Sequence, residues 1–226
     1  MFSLKIISVV SIYPGSGQTT ISVNLACGLS RAGNRVLIAS MNDNKKLAIW
    51  LGIDDAKDMP GHKDIKISRM GLDVLNLNLA DESSVSVIEF LSDLKQFDYD
   101  YLLLLPAAKS DFSWLNELSD YLIVCTDLSH ADEVADIISL EKSLTESQKS
   151  SISLIVPNKI NTKEWDHNSQ QLFSLAEYFG YEKIADPIPY CERIHDLPLG
   201  GRTVWELSQQ NLQAAFMSLV EAVKAL

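Results

Sequence analysis

Short apolar runs rich in β-branched residues alternate with longer helical stretches along the whole chain, and this alternation leaves few architectures open. Leu4–Ile12 is the first such run and reads as a buried strand. Thr19–Ala32 then follows a helical spacing, offers Ile21, Leu25, Cys27 and Leu29 for an inner face, and stops at Gly33-Asn34. Further strands are expected at Arg35–Ser40, Ile65–Met70, Leu72–Leu77, Tyr101–Leu105, Tyr121–Thr126, Ser151–Val156 and Ile184–Ile188. Helices are expected at Lys45–Leu51, Ser84–Lys95, Phe112–Leu118, Ala131–Leu144, Glu164–Phe179 and Thr203–Leu226. Asp54–Asp64 is charged, carries Pro60 and Gly61, and reads as an exposed loop. Strands joined through helices form a parallel sheet covered on both faces, because a parallel connection must cross over. The expected fold is α/β: a single doubly wound, mostly parallel sheet with helices on both faces, over residues 1–226 as one domain.

A chain of 226 residues buries a large core without covalent staples. The three cysteines, Cys27, Cys125 and Cys191, are odd in number and widely spaced. They fit neither a disulfide framework nor a zinc site, so a reducing, cytoplasmic setting is expected. A net charge of −11 disfavours a nucleic-acid sheath, which needs clustered cations, while leaving room for a local basic patch. No apolar run approaches the ~18 residues of a membrane span. His62, His130, His167 and His195 are scattered without metal-ligand spacing, so no metal site is expected. His195-Asp196 has no nucleophile elbow beside it and reads as a polar loop pair. Asp127 and His130–Glu133 read as the solvated start of a helix. Trp50, Trp114, Trp165 and Trp205 fall on or beside helices and read mostly as packing residues. Leu207, Leu212, Phe216, Leu219, Val220 and Val223 give the closing helix one packed face, and its end carries no basic cluster for direct membrane binding.

The first strand runs into Tyr13-Pro14-Gly15-Ser16-Gly17-Gln18-Thr19-Thr20, with a helix directly after it. Such a turn gathers backbone N–H groups at a positive helix end, which suits an anion. The candidate contacts are Gly15, Ser16, Gly17, Gln18, Thr19 and Thr20. The bland alternative is a strand-to-helix turn that binds nothing. The turn departs from the phosphate-loop pattern at Ile12, where the first glycine belongs, and at Gln18, where the lysine belongs. It fits the dinucleotide fingerprint less well, with Thr20 at the third glycine and Ser40 where an acidic ribose ligand belongs.

The run Thr19–Ala26 followed by Gly33–Ile38 resembles the opening of the ParA/MinD family of deviant Walker-type ATPases. Trp50-Leu51-Gly52, Asp100–Leu104, Pro157-Asn158-Lys159, Ile188-Pro189-Tyr190 and Gly200–Val204 extend the resemblance over nearly the whole chain. The flavour is that of the MinD-like branch with the pilus-assembly proteins TadZ and CpaE. The resemblance implies a P-loop fold, a nucleotide at the glycine turn and Asn158 on the adenine side.

It also implies that the chemistry is gone. The signature lysine falls on Tyr13 and the phosphate-gripping lysine on Gln18; the acidic positions fall on Ser40, Asn42 and Leu105. Pro14 removes one further N–H from the turn. A lysine about 4 Å from a phosphate contributes roughly 4 kcal/mol at an effective dielectric near 20, and a glutamine brings no such charge. Thr19 remains as a candidate Mg²⁺ ligand without its helpers. The expectation is a pseudo-ATPase with no catalytic residue, no required cofactor and at most weak ATP affinity. It would act as a positioning, assembly or regulatory factor for a pilus, secretion or envelope machine, through protein partners, as a homodimer or a heterodimer with an active paralogue. Tyr13 and Trp114 are the interface candidates. The alternatives are a slow ATPase serving plasmid or chromosome partition, and a nucleotide-sensing module that binds without hydrolysis.

Overall fold

A computed structural model describes residues 4–40, 45–52, 66–68, 70–76, 98–106, 118–146, 151–161 and 165–226. The strands are β1 (Lys5–Val10), β2 (Val36–Ser40), β3 (Lys66–Ile67), β4 (Asp73–Asn76), β5 (Tyr101–Leu105), β6 (Tyr121–Thr126) and β7 (Leu154–Pro157). They form one sheet in the order β3-β4-β2-β5-β1-β6-β7. All neighbours run parallel except the short edge strand β3, which pairs antiparallel with β4. The helices are α1 (Gln18–Arg31), α2 (Lys45–Leu51), α3 (Glu133–Glu146), α4 (Trp165–Phe179), the single turn α5 (Leu197–Gly200) and α6 (Gln210–Ala225). The doubly wound parallel architecture expected from the alternation is what the chain adopts.

Side chains alternate across the central strands, so two apolar layers form. Ile7 and Val9 of β1 face a layer shared with α1, α2 and α6. Ile6 and Val10 face the other, with Ile137 and Leu144 of α3 and Leu175 and Phe179 of α4. Every residue of α1 from Ile21 to Leu29 is buried, more than the single inner face expected, because α6 covers its outer side. Gly28 permits that approach: a Cβ there would lie 2.5 Å from Val220 Cγ2 and 2.7 Å from the Trp205 ring. Asn24, also buried in α1, donates to Thr20 O (2.8 Å) and accepts the Val204 N–H (2.9 Å), while its carbonyl accepts the Trp205 indole (3.0 Å).

Two expectations need correction. Ile184–Ile188 forms no regular strand; the segment runs beside β7 through isolated bridges, Ile184 to Ile155 and, just beyond it, Pro189 to Ile160, with Ile188 N–H also donating to Pro157 O at 2.8 Å. Pro187 and Pro189 carry no N–H, so a regular ladder cannot be built there. Thr203–Leu226 is not one helix. Val204–Glu206 forms a 3-10 turn closed by a Thr203–Glu206 capping box, Leu207 and Gln209 are extended, and α6 starts at Gln210. The Gln213 amide holds this break by donating to the carbonyls of Val204, Trp205 and Leu207, the last at 2.7 Å. The Ser84–Lys95 helix, the Asp54–Asp64 loop and Phe112–Leu118 up to residue 117 lie outside the described residues.

Candidate functional site

The glycine turn leaves the carboxyl end of β1, the central edge at which parallel sheets hold ligands. Gly15 (φ 99°) and Gly17 (φ 100°) both adopt left-handed backbone, which only glycine takes readily. The first intrahelical bond of α1 runs from Ile21 N–H to Gly17 O at 2.9 Å. The turn therefore presents the amide-lined helix end expected of an anion nest.

The carbonyls of the turn are tied from behind. Ser16 Oγ donates to Tyr13 O (3.0 Å), Asn158 Nδ2 to Ser16 O (2.9 Å), and Lys159 Nζ to Gly15 O. Asn158 is buried, and a Cβ on Gly17 would sit 2.0 Å from its Nδ2. Lys159 takes a positive φ of 57°, rare for a residue with a side chain, and its ammonium also pairs with Asp127 Oδ2 at 3.1 Å. Burial pushes the Asp127 carboxyl up, but its bonds from Ser129 and Lys159 outweigh that and hold it below the usual range. Asp127, Ser129, Lys159, Asn161, Asn168 and Tyr190 help line a cleft of about 370 Å³ beside the turn.

Both positions that the resemblance aligns with lysines are occupied internally. Gln18 Nε2 donates to Val9 O (2.7 Å) and Pro106 O (2.9 Å). The Tyr13 ring stacks on His130 at 4.0 Å between centroids, and its hydroxyl donates to Asp136. That bond first, then burial and the charges of Asp136, Asp132 and Glu133, push the phenol up to about 12. At the acidic positions, Leu105 and Ser40 are both fully buried. At these positions the structure holds a neutral amide already bonded to two backbone carbonyls and a buried alkyl group.

His130, Ala131 and Asp132 are exposed, as the expected solvated helix start requires, but Asp127 is half-buried and Glu133 is buried. Glu133 is 1% exposed and accepts the Thr126 hydroxyl at 2.6 Å. Burial pushes its carboxyl up, against the opposing effect of the Thr126 and His130 bonds. Trp50 is core, its indole donating to Arg202 O at 2.7 Å, whereas Trp114, Asn42 and His62 lie outside the described residues. Cys27 and Cys125 are buried free thiols. Among the described residues no cluster of His, Cys, Asp or Glu could hold a metal ion, and no helix is long and apolar enough to cross a membrane.

The Asp127–Lys159 pair sets an acid-side expectation. The folded Asp127 carboxyl lies below its ordinary 3.8, so its contribution is complete above that pH and is lost as pH falls through the folded value. Asp127→Asn should lower the thermal midpoint at pH 6 by an amount worth about 1 kcal/mol or less. The gap from wild type should narrow in scans carried below pH 4.

Residues 7–204 match the profile of the CobQ/CobB/MinD/ParA nucleotide binding domain. The chain belongs to this family. Solved members share the fold at low identity. The MinC:MinD cell division protein complex of Aquifex aeolicus superposes with a TM-score of 0.82 at 16% identity, covering 98% of this chain and 96% of that one. An ATP complex of a Cyanothece McdA variant gives 0.81 at 18%, covering 99% and 98%. A plasmid partition protein of Borrelia burgdorferi bound to AMPPNP gives 0.73 at 16%, covering 98% and 99%. A tyrosine-protein kinase, CpsD of Streptococcus pneumoniae, is 30% identical over 91 residues, 37% of this chain and 39% of that protein. The chain thus matches about two fifths of the length of that curated relative. In this family member Asn158, expected on the adenine side, is buried and braces the turn at Ser16 O, a role the sequence did not suggest; nor did it suggest the parts of Lys159, Asp127 and the Tyr13–His130 stack. The Asn158-Lys159 pair was the available signal for Lys159.

Proposed function

We propose that this chain is a non-hydrolysing member of its family, of the MinD-like branch with TadZ and CpaE. It acts as a positioning, assembly or regulatory factor through protein contacts, with residues 1–226 as one unit. The observation that carries this reading is the Gln18 amide, whose two protons are both directed to backbone carbonyls, Val9 O and Pro106 O. Phosphoryl transfer depends on placing cations and carboxylates around the transferring group, and this site offers neither at Gln18 or Leu105. A self-dimer would rest on contacts insensitive to nucleotide, with Tyr13, held by Asp136 and His130, and Trp114 as the proposed anchors.

A second reading keeps binding without turnover. The left-handed Gly15 and Gly17 and the braces from Asn158 and Lys159 leave a helix end able to hold a phosphate through Gly15–Thr20, with Asn158 on the base side. A fluorescent ATP titration run beside a steady-state assay separates the readings. Turnover at background with weak or absent binding is expected. Gln18→Lys should leave turnover at background too, because one cation does not replace the missing carboxylates. Family-level turnover that disappears in Thr19→Ala would overturn the proposal.

A further inference from the structure

We propose that Gln18 is a donor strut: its side-chain amide holds the glycine turn in shape and fastens it to the chain leaving β5, with no bound ligand. The parallel pairing of β1 with β5 runs through Ile7–Leu103 and Ser8–Leu104. Just beyond these pairs the ladder meets Pro106, which has no N–H to continue it. Gln18 Nε2 supplies the missing donor, reaching Val9 O on one strand (2.7 Å) and Pro106 O beyond the other (2.9 Å). An amide has two protons, and both are used. Gln18 is also the first residue of α1, so the same side chain anchors the start of that helix to two strand ends.

The rest of the turn is built on the same plan. The carbonyls of Tyr13, Gly15 and Ser16 each receive a side-chain donor, from Ser16, Lys159 and Asn158. Gln18 is the member of this set that links the turn to β5. The inference goes beyond the functional reading above and stands whether or not nucleotide is hydrolysed.

Donor chemistry, not packing, is the testable content. Gln18→Glu keeps the shape but has no proton to donate at neutral pH, and Gln18→Met removes the donor without adding charge. Gln18→Lys keeps donors for the same carbonyls. Thermal midpoints and amide exchange across Gly15–Gly17 are measured on nucleotide-free full-length protein. Glu and Met variants should melt about 5 °C or more below wild type, with loop exchange about tenfold faster. The Lys variant should stay within about 2 °C of wild type, with exchange unchanged. Equal losses in Met and Lys variants would reduce Gln18 to a packing residue. No loss in Met and Glu variants would remove the strut altogether. If the Glu variant does not fold, the Met and Lys pair decides the matter alone. Turnover plays no part in this readout, so its failure is distinguishable from failure of the non-hydrolysing reading.

Discussion

Phe216→Ala is expected to cost about 3–5 kcal/mol and to lower the thermal midpoint by about 10 °C or more. Phe216 is fully buried and lies on the face of α6 that covers α1. Its ring meets Trp205 edge-on, with centroids 6.5 Å apart and planes at 69°, an arrangement that adds to the apolar area buried. Trp205 is itself fixed by its bond to Asn24 O and lies against Gly28, so the wall around Phe216 has little freedom to collapse into a cavity. Phe216→Leu, nearer in volume, should lose less than half as much. Urea unfolding of the three proteins measures it. A loss below about 1 kcal/mol for the alanine variant would mean that α6 can shift to fill the space.

Gly17→Val should cost about 2–4 kcal/mol and dismantle the turn. Two effects combine. At φ 100° a β-branched side chain meets steric strain of about 1–2 kcal/mol. Its Cβ would then fall 2.0 Å from Asn158 Nδ2, so the Asn158 side chain must leave and Ser16 O loses its donor. Gly15→Ala separates the two contributions. Gly15 has the same positive φ, yet nothing lies within 4 Å of a Cβ built there. That variant should show the strain alone. Equal losses at the two glycines would mean that Asn158 moves aside freely and does not brace the turn. Any residual ATP affinity in the titration should vanish in Gly17→Val.

The alternation of apolar runs with helices made the sheet legible, because buried parallel strands must be apolar on both faces, as Leu102–Leu105 and Ile123–Val124 are. The glycine turn was legible because Gly15 and Gly17 mark backbone that other residues avoid. The break between Glu206 and Gln210 was not. No glycine or proline announces it; it is stabilised by a side chain several residues on, Gln213, whose three carbonyl partners come together only once α6 has packed. Glu133 was misread for a similar reason. In the sequence it belongs to an acidic run, and only the fold brings the Thr126 hydroxyl to its carboxylate. The resemblance marks Gln18 only as standing where a lysine is expected. The two hydrogen bonds of its amide depend on where β1 and β5 end.

The sheet divides the interior into two compartments, one holding Phe216 and the other Ile137. A void opened beneath α6 is therefore walled off by hydrogen-bonded backbone from the packing beneath α3. Damage to the two compartments should sum with little cross-talk, as for sites that share no partners. The turn at Gly15–Gly17 is the exception. It begins at the end of β1, which feeds both compartments, and it leads into α1 on one side while resting on Asn158 and Lys159 after β7. Natural drift in this chain can thus loosen either half of the core piecemeal, whereas the turn is answerable to both halves at once.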